Sequence, residues 1–327
     1  MRVLVIGGTR FVGIHIVNSL IENGHDVTLF NRGKTNPDIF NNVPLIKGDR
    51  VTDLNLLDGM DFDAVIDPGC YFPYQLKVSL NYFKDKIKFY VFISTVAVQD
   101  LSVDEIVEDT PTLEPDFDST KFNEDSSNYG TMKAAMEIMV RDAMGEGRYG
   151  IIRPGYICGS NDGTDRFTYW PMKMHFNDVM VLPEGDFQFQ FVDVKDLGDF
   201  TALITEEQNS GIFNVTGNNM KFSSFLNECS EAVNPKIKLV RLSKEDLTKY
   251  EINKYAAFPL FIDDIKEYKG IYNCNCTKAV NAGLKFRPVK STIKDALDWF
   301  LSVGKTPETA AVGLKPEKEK EILSEIL

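Results

Sequence analysis

The run Arg2-Val3-Leu4-Val5-Ile6-Gly7-Gly8-Thr9-Arg10-Phe11-Val12-Gly13 constrains this chain more than any other segment. Five residues suited to a buried strand lead straight into a glycine pair. Gly13 follows, and Ile14 to Glu22 then places apolar residues at helical spacing. Strand, glycine turn and helix in that order distinguish a dinucleotide site from an ordinary tight turn. Gly7 permits the sharp turn, Gly8 lets the backbone approach a pyrophosphate, and Gly13 lets the helix lie close on the strand. Free N–H groups at the helix start attract the phosphates. Thr9, Phe11 and Val12 belong to the same turn and join the three glycines as candidate cofactor-binding residues.

The second strand, Asp26 to Phe30, ends in Asn31-Arg32-Gly33. An NAD site places an acid there for the ribose 2′-hydroxyl, whereas an arginine suits a 2′-phosphate. Arg32, with Arg10 in the neighbouring turn, offers two guanidinium groups and no carboxylate. That pattern favours NADP(H) over NAD(H) through charge-assisted hydrogen bonds. The alternative for Arg32 is a solvated turn residue.

The pattern continues with strands at Val43 to Lys47, Asp63 to Asp67, Phe89 to Ile93 and Tyr149 to Ile152. Helical segments at Tyr71 to Phe83 and Asn128 to Gly145 lie among them. Alternation of this kind predicts an α/β fold with a doubly wound parallel sheet and right-handed crossovers. After Pro154 the character changes, and a smaller α/β substrate-binding lobe is expected. Residues 1–154 form the dinucleotide-binding domain, rejoined by 187–215; residues 155–186 and 216–327 form the lobe. Phe187 to Val192 alternates like a strand. The stretch 100–127, rich in Asp, Glu and Pro, reads as a solvated surface loop, with a flap over the site as the alternative.

Composition closes off other classes. A net charge of −12 over 327 residues argues against a nucleic-acid partner. Five cysteines, an odd number, suit a reducing compartment, and Cys274-Asn275-Cys276 reads as two ordinary thiols, so no metal is expected. No apolar run is long enough to span a bilayer and no leader pattern opens the chain, so a cytoplasmic protein without a membrane partner is expected, as monomer or homodimer.

Strand C-termini line the crevice of a doubly wound sheet. The residues closing the strands are therefore candidates: Asp49 and Arg50, Pro68 and Gly69, Ser94 and Thr95, Pro154 and Gly155. Tyr129 and Lys133, four apart, share a helix face that opens after the strand ending in Ser94-Thr95. The reading assigns Tyr129 as proton donor or acceptor, Lys133 as the cation lowering its pKa, and Thr95 as the hydroxyl orienting the substrate oxygen. Arg166, Tyr169 and Trp170 are expected to line the substrate pocket, with a core role for Trp170 weighed equally. Arg166, Lys173, Arg241 and Arg287 are the cations available for a nucleoside diphosphate.

These motifs together resemble the extended short-chain dehydrogenase/reductase superfamily, nearest to its atypical NAD(P)-dependent epimerase/dehydratase-like reductases. Ile6 to Gly13 stands where that family has TGxxGFxG, and Ser94 to Asp100 resembles its STDEVYG segment. Tyr129 to Lys133 matches YxxxK, and Arg153 to Gly159 resembles RPxxVYGP. Phe191 to Leu197 resembles FIHVxDL, and Gly283-Leu284 through Arg287-Pro288 to Trp299 fits its C-terminal pattern. The resemblance implies a Rossmann sheet, adenine contact at Asp49, and nicotinamide contact by the backbone at Pro154-Gly155. Arg10 replaces the middle glycine of the turn. Val96 and Ala97 stand where sugar dehydratases carry an Asp-Glu pair, which disfavours elimination chemistry. The GGTRFxG and NRG elements also occur in chloroplast stem-loop-binding proteins, whose RNA role fits poorly with an acidic chain.

Three functions stay open. The first is an oxidoreductase moving hydride between nicotinamide and a carbonyl/alcohol small molecule. The second is a nucleotide-sugar epimerase with tightly held cofactor. The third is a non-catalytic NADP-binding regulator or RNA-binding protein.

Overall fold

A computed structural model of the chain describes every residue except Asp125 and Asp264. Its elements run β1 (Arg2–Ile6), α1 (Val12–Glu22), β2 (Asp26–Asn31), β3 (Leu45–Lys47), β4 (Ala64–Asp67), α2 (Pro73–Phe83), β5 (Phe89–Ile93), α3 (Tyr129–Met144), β6 (Tyr149–Pro154), β7 (Ile157–Cys158), α4 (Tyr169–Phe176) and β8 (Val179–Pro183). They continue with β9 (Gln188–Phe189), β10 (Val192–Asp193), α5 (Val194–Glu207), β11 (Gly211–Val215), β12 (Met220–Lys221), α6 (Phe222–Val233), β13 (Lys238–Leu242), α7 (Lys244–Lys249), α8 (Lys254–Ala257), α9 (Thr277–Asn281), α10 (Val289–Ser302) and α11 (Pro316–Ile326).

Seven strands form one sheet in the order β11-β6-β5-β4-β1-β2-β3, every pair parallel. The chain builds outward from β1 in one direction through β2 and β3. It returns to build through β4, β5, β6 and β11 in the other. The reversal between β1 and β4 opens a crevice at the strand C-termini, where such sheets bind ligands.

Side-chain alternation explains why helices cover both faces. In β1, Val3 and Val5 join one core and Leu4 and Ile6 the other. The first core takes Ile16, Val17 and Leu20 of α1 with Leu197, Phe200 and Ile204 of α5. The second takes Leu76, Leu80 and Phe83 of α2 with Met136, Val140 and Met144 of α3. This is the doubly wound α/β architecture expected from the alternating pattern.

The lobe has its own core, built largely of aromatic rings. Phe187, Phe189 and Phe191 all point into it and stack against Phe222, Phe225 and Tyr272. Their alternation suggested one strand. The segment instead divides into β9, which pairs antiparallel with β12, and β10, which pairs parallel with β7. The alternating apolar residues there satisfy an aromatic core rather than a continuous ladder.

Tyr169 corrects an expectation, and Trp170 takes the core role of its two alternatives. Both are essentially inaccessible, at 1% and 0% exposure, and belong to the lobe core. Trp170 packs edge-on against Phe222, and its indole N–H donates to the Pro259 carbonyl at 2.9 Å. Neither presents surface to a ligand. Trp170→Ala should therefore behave as a core deletion and destabilise the protein by about 3–5 kcal/mol. Urea denaturation measures it, and a loss below about 1 kcal/mol would restore the pocket-wall reading.

Candidate active site

The turn after β1 fits a dinucleotide. Gly7 and Gly8 have φ of 109° and 85°, which favours glycine, and a Cβ on Gly13 would come within 2.9 Å of the Gly8 Cα. Turn and helix thus interlock only without side chains. No side chain caps the start of α1, so its N-terminal dipole faces the crevice uncompensated. Thr9 is buried, and its carbonyl accepts from the Asn36 amide at 2.9 Å. Phe11 immediately precedes Val12, the first residue of α1.

At the end of β2 the Asn31 side chain ties the two turns together. Its Nδ2 donates to the Gly7 carbonyl at 2.8 Å, and its Oδ1 accepts from the Gly33 N–H at 2.8 Å. Arg32 and Arg10 are exposed beside it. The turns after β1 and β2 therefore carry two exposed cations and a neutral, already engaged amide.

Two predicted cofactor residues have other partners. The Arg50 guanidinium forms a two-pronged pair with buried Asp67 at 2.8 and 2.9 Å, and the Tyr90 hydroxyl donates to the same carboxylate at 2.9 Å. Burial disfavours the guanidinium charge, yet Asp67 outweighs it and raises the Arg50 pKa above its usual range. The Ser94 hydroxyl donates to Glu137 at 2.5 Å. Both side chains brace the crevice floor. Asp49 accepts from the Val51 N–H at 2.9 Å, Pro68 is half-buried, Gly69 is exposed, Pro154 is buried, and the Gly155 N–H donates to the Val215 carbonyl at 3.1 Å.

The Tyr129 region is set by a contact that sequence reasoning missed. A Cβ on Gly130 would lie 2.3 Å from the Ala97 carbonyl oxygen. Only glycine lets the first turn of α3 press onto the segment after Thr95. The Thr95 hydroxyl, which accepts from the Ala97 N–H at 3.2 Å, lies in that segment and acts to lower the Tyr129 pKa. The signal was available as a glycine directly after the tyrosine, at a helix start where helix propensity alone would disfavour it.

The electrostatics differ from expectation. Burial raises the Tyr129 pKa, and nearby Tyr71 raises it further, while Thr95 and the Arg166 charge oppose them. Lys133 is turned elsewhere. Its Nζ donates to the carbonyls of Ile93 at 2.8 Å and Cys70 at 2.9 Å, inside the protein. Burial pushes its pKa down to about 8. The cation acting on the phenol is thus Arg166, whose guanidinium stands 5.4 Å from the centre of the Tyr156 ring.

Glu137, two helical turns beyond Tyr129, completes the floor. It accepts from Arg153 at 2.6, 2.9 and 3.2 Å as well as from Ser94. Arg153 also donates to the Glu108 carbonyl at 2.9 Å, and the Glu108 carboxylate accepts from the Asn214 N–H at 3.0 Å. The loop 100–127 is therefore pinned along its first half. Ile106 is fully buried, and Gln99 donates to the Val107 carbonyl at 2.5 Å. The solvated loop expected there applies only to its later part, of which Asp125 lies outside the described residues. Among the described residues no cluster of His, Cys, Asp and Glu is arranged to hold a metal, and no helix is long and apolar enough to cross a membrane.

Comparison with known proteins places this geometry among relatives. The model of the NAD dependent epimerase/dehydratase family matches residues 3–71 and 76–216. The chloroplast stem-loop binding protein of 41 kDa b from Arabidopsis thaliana is 25% identical over 280 residues, which is 79% of this chain and 69% of that protein. UDP-glucose 4-epimerase from Bifidobacterium longum, solved with NAD+ and UDP, superposes with a TM-score of 0.64 at 17% identity, covering 92% of this chain and 98% of that one. A dTDP-glucose 4,6-dehydratase from Bacillus anthracis, solved with NAD, gives 0.66 at 14% identity over 98% and 99%. At such identities the two structures testify to the fold.

Buried Lys133 makes the stability of this protein depend on pH. An unfolded lysine titrates near pH 10.4, about two units above the folded value. Between pH 8 and that value the folded state binds fewer protons than the unfolded one. This group therefore makes stability rise with pH, by up to about 1.4 kcal/mol per unit. Below pH 8 its cost is constant. Lys133→Met removes the dependence, so wild-type stability relative to the variant should climb between pH 8 and 10 in urea titrations. A pH-independent difference would contradict the assignment.

Proposed function

Since this chain belongs to the NAD dependent epimerase/dehydratase family, we propose that it is an NADP(H)-dependent oxidoreductase acting on a carbonyl/alcohol pair through Thr95, Tyr129 and Lys133. One contact supports this reading: Gly130 seated on the Ala97 carbonyl, which packs the start of α3, where Tyr129 lies, onto the segment that follows Thr95. Bound along the glycine turn, a nicotinamide would supply hydride to a carbonyl carbon, the carbonyl becoming an alcohol as the cofactor is oxidised.

Tyr129 gives its proton to the carbonyl oxygen and regains one from water. Burial keeps the phenol protonated at neutral pH, which suits it to the reducing direction. Thr95 orients the same oxygen. Lys133, held by the carbonyls of Ile93 and Cys70, fastens α3 to β5 and so positions Tyr129. The preference for NADP(H) follows from Arg10, Arg32 and an Asn31 already bound to Gly7 and Gly33. The net charge of −12 supports a small-molecule rather than a nucleic-acid partner.

Calorimetric titration should give tighter binding of NADP+ than NAD+, and Arg32→Ala should weaken NADP+ about tenfold or more. Equal affinities in the wild type would refute the preference. Tyr129→Phe keeps the shape of the site and should slow NADPH-dependent reduction about 10²–10⁴-fold. Turnover at the wild-type rate would remove Tyr129 from its role. Cofactor retained through purification, with hydride returned to the same molecule, would favour the epimerase instead.

A further inference from the structure

The cations available for a nucleoside diphosphate have mostly been consumed by the fold. Lys173 is 1% exposed and paired with Glu319. Arg287 holds Asp196 at 2.6 Å and Asp199 at 3.3 Å, with Asp193 at 3.5 Å. Arg241, on β13, donates to the Gly185 carbonyl at 3.4 Å. Arg166 differs from all three. It is exposed and stands over Tyr156, and its charge reaches both Tyr129 and Tyr272. No carboxylate lies within ion-pair distance of it among the described residues; its Nε contacts the Thr164 hydroxyl at 3.3 Å. The nearby Asp162 carboxylate is buried and accepts from the Thr164 N–H and hydroxyl.

On the other flank of Tyr129 the surface is aromatic. Phe122 sits 6.3 Å from the Tyr129 ring, 6.0 Å from Tyr71 and 5.1 Å from Phe72, centre to centre. Tyr71 is 48% exposed and Phe122 37%. Exposed rings gathered beside a phenol, Tyr71 from the segment after β4 and Phe122 from the acidic loop, form a surface suited to a flat or apolar ligand body.

Resting on the oxidoreductase reading, we infer that the substrate carries a single anionic group, held by Arg166 against Tyr156, and a planar apolar body lying on the Tyr71–Phe122 shelf. A nucleoside diphosphate has at least two charges to place, and among the described residues Arg166 is the cation whose charge acts on Tyr129. The site thus selects a monoanionic aryl carbonyl compound over a nucleotide sugar.

Three probes separate the terms: benzoylformate, which has both ring and anion; acetophenone, which has the ring alone; and UDP-glucose. Each is titrated calorimetrically into the protein with and without saturating NADP+, which cannot reduce a ketone. Benzoylformate should bind more tightly than either of the others. Arg166→Ala should weaken benzoylformate about tenfold or more and leave acetophenone unchanged, while Arg166→Lys recovers part of the loss. Phe122→Ser, on an exposed loop position, should weaken both ring-bearing probes by a similar factor. Tighter binding of UDP-glucose, no measurable benzoylformate binding, or a benzoylformate affinity indifferent to Arg166 would overturn the inference. Failure of NADP+ to bind, with benzoylformate still held through Arg166, would overturn the oxidoreductase reading alone.

Discussion

The ion pair between Glu137 and Arg153 joins three separate segments of this molecule. Both side chains are about 3% exposed. Through them α3 is fastened to β6, the end of β5 is held by Ser94, and the loop after β5 is held through Glu108. A charge pair so deep gives little net stability over an apolar replacement. Loss of one partner alone, however, strands a buried charge at a cost of about 3–5 kcal/mol. What the pair supplies is geometry. Thr95 follows Ser94 directly, Tyr129 lies on the helix that carries Glu137, and Pro154-Gly155 follows Arg153. Three segments that line the crevice are thereby indexed to one carboxylate.

Charge at the crevice floor follows a common pattern. Arg50 is matched by Asp67 and Tyr90, Arg153 by Glu137, and Lys133 by two carbonyls. Each buried cation has its partners inside the protein, so the floor is preorganised before any ligand arrives. Arg10, Arg32 and Arg166, by contrast, are exposed at the rim. Cations that hold the fold and cations available to a ligand are separated by depth.

Much of this was legible in the sequence because it depends on local pattern. The strand-turn-helix opening, the alternating strands and helices and the Tyr129–Lys133 spacing all repeat or break within a dozen residues. What escaped depends on contacts between distant segments. Tyr169 looked like a pocket wall because it clusters with Arg166 in sequence, and Trp170 stood between wall and core; only the aromatic ring system around Phe222 makes both core. Lys133 shares a helix face with Tyr129, as its spacing required, but the carbonyls that capture it belong to β5 and to the segment after β4. The pinning of the acidic loop by Ile106, Glu108 and Gln99 likewise needs partners from other elements. Composition describes such a loop's solubility and says nothing of its anchors.

The pairing of Lys173 with Glu319 carries a consequence for how the lobe is made. The Glu319 carboxylate also accepts from the Val181 N–H at 3.1 Å and the Asn177 amide at 3.3 Å. A helix near the far end of the sequence thus completes the surroundings of α4 and β8. During synthesis the ribosome delivers Lys173 long before Glu319, and an unpaired ammonium resists burial by several kcal/mol. The sheet domain can assemble as its strands emerge, but the α4 region must wait, hydrated and loosely packed, until α11 has left the exit tunnel. A chain still lacking α11 would leave the apolar rings of this lobe as the surface a chaperone meets.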